Sequence, residues 1–338
     1  MQTVGWTQAL VAGAAFVIMG SPVQAQEAVL KFATIDAPTA HHNVRIHHPW
    51  AERINRQGAG VLKIDVRDGA ALANQGTIYG RVIDDVFQIG WHVQIYSAGK
   101  FPLTDVVTLP FVADKSETAS VAFWRLYASG LLDAEYDDAL PLKLAVLPQS
   151  GVQYRVRPKS VDSFEGLKVI GPAKITSQTV AALGGAPLSF RAQEWYEALQ
   201  RGTADALIVG WSAFQPFKLH EVTTFHLDSS LGSNPGMIFM ARKRYQALPE
   251  AARKIIDANA GEKESREYGK MWDDTKREGR EATEKLSGHT IVGLTPEQTA
   301  KWRGRVSPVV DEWARSVPNG AKALSAYRSL LAQVQAGS

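Results

Sequence analysis

Apolar and polar positions along the chain change repeatedly between a two-residue period and a helical period. Residues 61–66 alternate apolar with polar side chains, as a half-buried strand does, and residues 28–34 form another strand-like run. Between them, residues 41–57 have helical spacing that ends at Gly58. A third strand is predicted at residues 86–91. This β–α–β order predicts a largely parallel sheet that is covered by helices.

A second set of strands and helices begins near residue 150, and a long charged helix is predicted from Pro249 to Leu286. The chain has 338 residues, which exceeds one typical domain and suits two of ordinary size. We therefore predict an α/β fold with two lobes. Lobe 1 is expected to comprise residues 26–150 and 239–286, and lobe 2 residues 151–238 and 287–338.

The start of the chain has the pattern of a secretory signal peptide. Residues 9–19 form an apolar run that is too short to span a bilayer comfortably. The small-x-small pattern of Val23, Gln24 and Ala25 then suits signal peptidase. Residues 1–25 are therefore predicted to be a signal peptide that is cleaved after Ala25, which places the mature protein in the periplasm.

Composition and motifs exclude several classes of function. The formal net charge is only +3, from 37 basic and 34 acidic side chains, so nucleic acid is not an expected partner. Cysteine is absent, which removes thiol catalysis, disulfides and cysteine-based metal sites. The chain contains none of the motifs GxSxG, Walker A, GxGxxG or HExxH, so it is not expected to be an enzyme.

Four histidines at positions 41, 42, 47 and 48 form the only cluster that suggests a metal. Their spacing does not match a zinc pair at i and i+4 with a catalytic glutamate, so neither a metal nor a cofactor is predicted.

Four strings in order resemble the substrate-binding subunits of tripartite ATP-independent periplasmic (TRAP) transporters, the DctP-like family. They are FPLTDVVTLPF at residues 101–111, FEGLKV at 164–169, EWYEALQRGTAD at 194–205 and KLHEV at 218–222. The resemblance runs from about Val29 to Trp313. It implies the fold of periplasmic binding proteins, in which two α/β lobes are joined by crossing strands and spanned by a long helix.

The same resemblance implies how the protein works. A small-molecule ligand, most often an organic acid, binds in the interlobe cleft and is enclosed by a hinge motion. The closed protein then docks on the membrane subunits of the transporter, which use an ion gradient in this family.

Three positions depart from the usual binding residues of the family. The arginine that ordinarily binds a carboxylate corresponds to Ile170, a second basic position to Gln153, and a polar position to Val209. An isoleucine cannot bind a carboxylate, so the usual ligands are in doubt. The remaining candidates are aromatic or polar residues near predicted strand ends, together with a helical glutamate: Trp91, His92, Phe111, Gln149, Tyr154, Trp211, Asn234 and Glu194.

Two hypotheses for the ligand follow. In the first, aromatic walls enclose an aromatic or keto acid, whose carboxylate meets a displaced cation such as Arg155, Arg191 or Lys174. In the second, aromatic rings and Glu194 hold a neutral or cationic molecule through cation–π and charge contacts. The first is favoured because the family mostly carries acids. A sensor subunit that presents its ligand to a receptor would share the fold and differ only in its partner.

Overall fold

A computed structural model describes residue 2 and residues 27–69, 71 and 73–337. Except for residue 2, the predicted signal peptide lies outside these described residues. No helix of the described chain has the length and apolar character needed to cross a membrane.

The first half of the chain alternates strands and helices as predicted. Its elements are β1 (Ala28–Ala33), α1 (His48–Gln57), β2 (Leu62–Arg67), α2 (Ile78–Ile83), β3 (Ile89–Val93), α3 (Ser116–Ala128) and β4 (Ala139–Val146).

The second set follows at once. Its elements are β5 (Gly151–Tyr154), β6 (Lys168–Ile170), α4 (Lys174–Ala182), β7 (Ala186–Leu188), α5 (Trp195–Gln200), β8 (Ala206–Val209) and β9 (Phe225–Asp228). The chain then returns through β10 (Pro235–Ala241), α6 (Arg242–Gln246), α7 (Glu250–Ala258), α8 (Glu262–Glu284), β11 (Thr290–Gly293), α9 (Pro296–Ser316) and α10 (Gly320–Gln335).

The described strands form two sheets. The first has the order β2-β1-β3-β10-β4, and the second has the order β11-β9-β5-β8-β6-β7. Strands β1, β2 and β3 are mutually parallel, as are β6, β7 and β8, whereas β10 and β5 run antiparallel to their neighbours. Each sheet is thus largely parallel, as predicted, and the exceptions are strands next to the points where the chain crosses between the halves.

Two chain segments cross side by side between the sheets. The amide of Leu147 donates to the carbonyl of Asn234 at 2.9 Å, and the amide of Ser150 donates to the carbonyl of Gly232 at 2.8 Å. Residues 147–150 lead from β4 into β5, and residues 229–234 lead from β9 into β10. The halves are therefore joined by a narrow hydrogen-bonded pair of strands, which suits a hinge.

The long charged segment is two helices and not the single helix that was predicted. Helix α7 ends at Ala258, and Gly261 precedes α8 with a φ of 107°, a conformation that favours glycine. Helix α8 packs on α3 and β4 of the first half, and farther along it contacts the turn at Trp211–Ala213 of the second half. It therefore spans the two halves, as the resemblance implied.

The C-terminal helices differ from the predicted lobe assignment. Helix α9 packs against α4 of the second half, but α10 packs against α3 of the first half. The assignment of residues 287–338 to lobe 2 therefore does not hold for α10. Strand β10 also enters the first sheet at Pro235, a few residues before the predicted boundary at residue 239.

A buried ion triad attaches α8 to the first sheet. The carboxylate of Glu264, near the start of α8, contacts both the ammonium of Lys143 on β4 and the guanidinium of Arg53 on α1. Lys143 is 1% exposed, and this burial lowers its pKa to about 8. Lys143 and Arg53 share this carboxylate, although Arg53 also donates to Oδ1 of Asn259 at 2.8 Å, so Glu264 links α8 to both α1 and β4.

We expect the change Glu264→Gln to lower the free energy of unfolding at neutral pH by about 3–5 kcal/mol, because it leaves a buried ammonium without its partner. Denaturant unfolding followed by circular dichroism measures this difference. Glu267→Gln, at an exposed position of the same helix, serves as the control and should change stability little. The double change Lys143→Met with Glu264→Leu should recover most of the loss, and equal destabilisation of the single and double variants would contradict this role of the triad.

Candidate functional site

A cavity of about 330 Å³ lies where the two halves meet helix α8. Its wall from the first half is His41, and its wall from the second half comes from the segment that follows β8. The lining residues are His41, Trp211, Ser212, Phe214, Gln215, His220, Thr275, Glu278, Gly279, Ala282, Thr283 and Leu286. The volume is within the range of small-molecule sites, and the lining combines aromatic walls with a few polar groups. We call this the junction cavity.

Trp211 is the main aromatic wall of the junction cavity. Its ring centre lies 4.7 Å from that of Phe214 and 5.3 Å from that of His226. The main chain of Trp211 packs directly on α8, because a Cβ atom at Gly279 would lie only 3.1 Å from the Trp211 carbonyl oxygen. Glycine at position 279 therefore allows the helix to close the cavity.

The charged groups of the junction cavity are largely neutralised within the protein. Both carboxylate oxygens of Glu278 accept hydrogen bonds from Arg45, at 2.9 and 2.8 Å, and this pair lowers the pKa of Glu278. Burial, and next the charge of Arg45, lower the pKa of His41, so its imidazole is neutral at neutral pH. The carboxylate among the lining residues is therefore paired with a cation of the protein.

Several buried polar atoms beside the cavity have no hydrogen-bond partner within the described chain. We call this set the junction cluster: Gln149 Nε2, Trp211 Nε1, Asp228 Oδ1, Ser229 Oγ and Trp272 Nε1. These residues come from the crossing segments, from the ends of β8 and β9, and from α8. Buried polar groups are normally satisfied, so these unpartnered atoms of Trp211 and of the segments that adjoin it are candidates for contact with a polar ligand.

The three positions that depart from the family pattern lie on the same sheet face. Gln153 and Ile170 both lie opposite Leu207 in the register, and Trp211 packs in the same core as Ile170. The Gln153 amide is used internally, because its Nε2 donates to the carbonyl of Val209 at 3.0 Å. Ile170 is completely buried. These side chains thus support Trp211 from behind and have no polar group left for a ligand.

Sequence reasoning missed a histidine pair behind Trp211. Nδ1 of His226 is hydrogen bonded to Oε1 of Gln153 at 2.9 Å, and its Nε2 is 3.0 Å from Nδ1 of His289. The two imidazole rings are stacked, with centres 5.3 Å apart and an interplanar angle of 5°. Burial, and next the neighbouring His289, lower the pKa of His226 to about 3. An isolated histidine in a strand and another after a helix gave no signal that they would pair.

Trp91 and His92 were predicted together, but they point to opposite faces of β3, as neighbouring strand residues must. Trp91 packs among His42, Tyr268 and Trp272, at the side of the first sheet that α8 covers. His92 instead packs in the core of the first half, with its Nε2 2.9 Å from the hydroxyl of Ser97. Burial lowers the pKa of His92 to about 3. Only Trp91 therefore adjoins the junction cluster, through Trp272.

Tyr154 is the last residue of β5 and Arg155 follows it, so both lie at the end of this strand that is remote from Trp211. Tyr154 pairs with Ala206 at the start of β8, whereas Gly151 pairs with Val209 at its end. At ~3.4 Å per residue, this separates Tyr154 from the cavity edge by ~10 Å. The guanidinium of Arg155 packs against Gly202 at that remote end of the strand. The strand register therefore places Arg155 away from the junction cavity.

The other predicted charges also lie away from the cavity lining. Arg191 and Glu194 pair with each other at 3.4 Å, and the Arg191 side chain is 84% exposed. Lys174 is an exposed residue at the start of α4. Since Glu194 binds Arg191 at the surface, the hypothesis of a cationic ligand loses its proposed counter-ion.

Two predicted residues belong to the connections between the halves. The amide of Phe111 donates to the carbonyl of Ser230 at 2.7 Å, and the guanidinium of Arg303 lies 5.0 Å from the centre of the Phe111 ring. Asn234 is half-buried and accepts the crossing hydrogen bond from Leu147. Neither residue is among those that line the junction cavity.

The histidine cluster has separate partners. His42 contacts Asp36 at 2.9 Å, His48 contacts Asp68 at 3.0 Å, and His47 is hydrogen bonded to Tyr268 at 2.7 Å. Within the described ranges, no group of three or more histidine or acidic residues has an arrangement that could hold a metal ion.

The depressed pKa of His226 makes stability depend on pH. The folded value of about 3 lies below the ordinary 6.5, so between these values the unfolded chain binds a proton that the folded protein does not. Stability is therefore lost as the pH falls from 6.5, by up to about 1.4 kcal/mol per pH unit. We expect His226→Gln to lose less stability between about pH 7 and about pH 5 than the wild type, as measured by urea unfolding. His220→Gln at the cavity rim is the control, and an equal pH dependence in both variants would contradict the prediction.

Comparison with known proteins agrees with this geometry. Residues 33–316 match the family described as bacterial extracellular solute-binding protein, family 7 (DctP). The chain is 26% identical over 322 residues to TsaT of Comamonas testosteroni, named an outer membrane transporter protein, which covers 90% of this chain and 92% of TsaT.

Two crystal structures superimpose on the whole described fold. A TRAP solute-binding protein from Rhodoferax ferrireducens T118, in complex with copurified benzoate, is 25% identical, with a TM-score of 0.83 over 92% of this chain and 100% of its own. A marine metagenome TRAP solute-binding protein specific for aromatic acid ligands, in complex with 3-hydroxybenzoate, is also 25% identical, with a TM-score of 0.83 over 91% of this chain and 99% of its own. The two-lobed fold expected from the resemblance is confirmed, and the chain belongs to the DctP family of bacterial extracellular solute-binding proteins.

Proposed function

We propose that this protein captures a small aromatic carboxylate at the junction of its two halves. The observation that carries the proposal is the pair of aromatic walls, Trp211 and Phe214, in a cavity that touches both halves and α8. Two relatives that share 25% of their sequence with this chain over nine-tenths of its length were crystallised with benzoate and 3-hydroxybenzoate.

The chemistry of the junction suits such a ligand. Aromatic rings favour offset or edge-to-face contact with another ring, which Trp211 and Phe214 can supply together. The unpartnered N–H groups of Trp211, Trp272 and Gln149 are donors, and a carboxylate is an acceptor. An aromatic acid therefore matches both the apolar wall and the nearby donors, whereas an amine would match only the wall.

Capture is proposed to act by closure of the hinge. The cavity walls come from both halves, so a ligand that contacts all of them stabilises the closed arrangement over open ones. The crossing segments at Leu147 and Asn234 would bend, while α8 keeps its attachment to the first half through Glu264. The closed form would then deliver the ligand to the membrane subunits of a TRAP transporter.

The proposal includes export of the protein to the periplasm. The apolar run at residues 9–19 and the small residues Val23 and Ala25 support removal of a signal peptide. We expect protein recovered from the periplasm of an expressing bacterium to begin at Gln26, as measured by intact-mass analysis and N-terminal sequencing. A product that retains residues 1–25 would contradict this part of the proposal.

Binding of benzoate to the purified mature protein tests the ligand class directly. A ligand at ~100 times its dissociation constant should stabilise the fold by ~2.7 kcal/mol, which gives a clear rise of the thermal midpoint. We expect benzoate or 3-hydroxybenzoate to produce this rise and benzylamine to produce none. If no aromatic acid binds in calorimetry, the proposed ligand class is wrong.

Placement of the ligand is tested by a matched pair of tryptophans. Trp211 and Trp195 lie in the same core and are both buried, but the Trp195 ring packs on Phe217 and does not line the cavity. We expect Trp211→Leu to weaken benzoate binding about tenfold, through the lost ring contact and buried area, as measured by calorimetry. Trp195→Leu should destabilise the fold similarly without changing affinity. Equal affinities for the two variants would place the ligand elsewhere.

A further inference from the structure

We infer that Lys276 of helix α8 binds the carboxylate of the ligand, in place of the arginine that the second sheet lacks. This inference rests on the proposed function and names the specificity-determining cation of that site. The cation that selects acids would then lie on α8, the helix that spans both halves, and not on a strand of the second half.

The helical period places Lys276 at the junction. Trp272, Lys276 and Gly279 are spaced by four and three residues, so they lie on one face of α8. Trp272 contacts Trp91 of the first half, with ring centres 6.4 Å apart, and Gly279 packs on Trp211 of the second half. Lys276 lies between these two contacts and directly after the lining residue Thr275, but it is not itself among the residues that line the junction cavity, and its side chain is only 24% exposed.

Asp228, at the end of β9, holds Lys276 only loosely. The carboxylate oxygen Oδ1 lies 3.3 Å from the Lys276 ammonium but has no partner with hydrogen-bond geometry within the described ranges. Asp228 also has a second cation, because Arg280 lies 3.6 Å from its other oxygen. An ammonium has three donors, so Lys276 can turn one or two of them towards a ligand while Arg280 retains Asp228.

Unpartnered donors on α8 and on the crossing segments are available for such a carboxylate. The buried indole N–H of Trp272 lies one helical turn before Lys276, and Gln149 and Ser229 add an unpartnered amide and hydroxyl at the crossing segments. Hydrogen bonds from a cation to a carboxylate are about twice as strong as neutral ones. A ligand carboxylate that binds Lys276 and Trp272 would therefore share a cation with Asp228 and would satisfy an indole N–H that has no partner within the described chain.

Other cations near the junction are already committed. Arg45 forms a bidentate pair with Glu278, and Arg280 forms a 2.7 Å pair with Glu284 in addition to its contact with Asp228. Arg155 lies beyond the remote end of β5, and Arg191 pairs with Glu194 at the surface. Lys276 is thus the cation at the junction whose pairing is weakest.

The inference predicts opposite effects for two neighbouring changes. Removing the ammonium by Lys276→Gln should weaken benzoate binding about tenfold or more, since it removes a charge-assisted hydrogen bond. The change Asp228→Asn should strengthen benzoate binding, because it removes an anion that competes for the same ammonium. Lys270→Gln, at an exposed position of the same helix, is the matched control and should leave the affinity unchanged.

Isothermal titration calorimetry with benzoate and its neutral analogue benzamide measures these effects on the purified mature protein. The wild type should prefer benzoate, and Lys276→Gln should lose that preference while Lys276→Arg keeps most of it. If wild type binds benzoate and Lys276→Gln binds it equally well, the inference is overturned while the proposed function stands. If the wild type binds no aromatic acid, both fail. A weaker affinity of Asp228→Asn for benzoate would overturn the competition between Asp228 and the ligand.

Discussion

The structure depends on the attachment of helix α8 to the first sheet through the buried carboxylate of Glu264. Lys143 and Arg53 both contact this group, and a sideways shift of the helix would leave the Lys143 ammonium buried and unpaired. Glycines at positions 269 and 279 then let the helix approach α3 and Trp211 within van der Waals contact. Helix α8 therefore contacts both halves of the protein along its length.

One face of α8 lies at the junction of the two halves. Trp272 lies against the first half, Gly279 lies against the second, and Lys276 is between them. Gln149 and Ser229 of the crossing segments also have polar atoms without a partner in the described chain. In the proposed mechanism, a ligand that satisfies these polar groups would couple binding to closure of the hinge.

The two-lobed fold was predictable because it depends on features with a local signature. Strand and helix periods show the β–α–β order, and the four family strings place it in a known architecture. The site was less predictable, because a shift of one residue changes the sheet face on which a side chain lies and its partner in the strand register. Trp91 and His92 are neighbours in the chain but lie on opposite sheet faces. Arg155 is only four residues from Gly151 but lies at the opposite end of strand β5.

The sequence by itself determined the family and the α/β class. It could not single out Lys276, which we propose as the cation for the ligand, because this residue is one of many charged residues in α8 and has no local feature that separates it from exposed lysines such as Lys270. Only the tertiary structure decided which helix face meets both halves and which polar atoms are left unpaired there. Periodicity and motifs are properties of neighbouring residues, whereas burial and pairing depend on contacts between segments far apart in the chain.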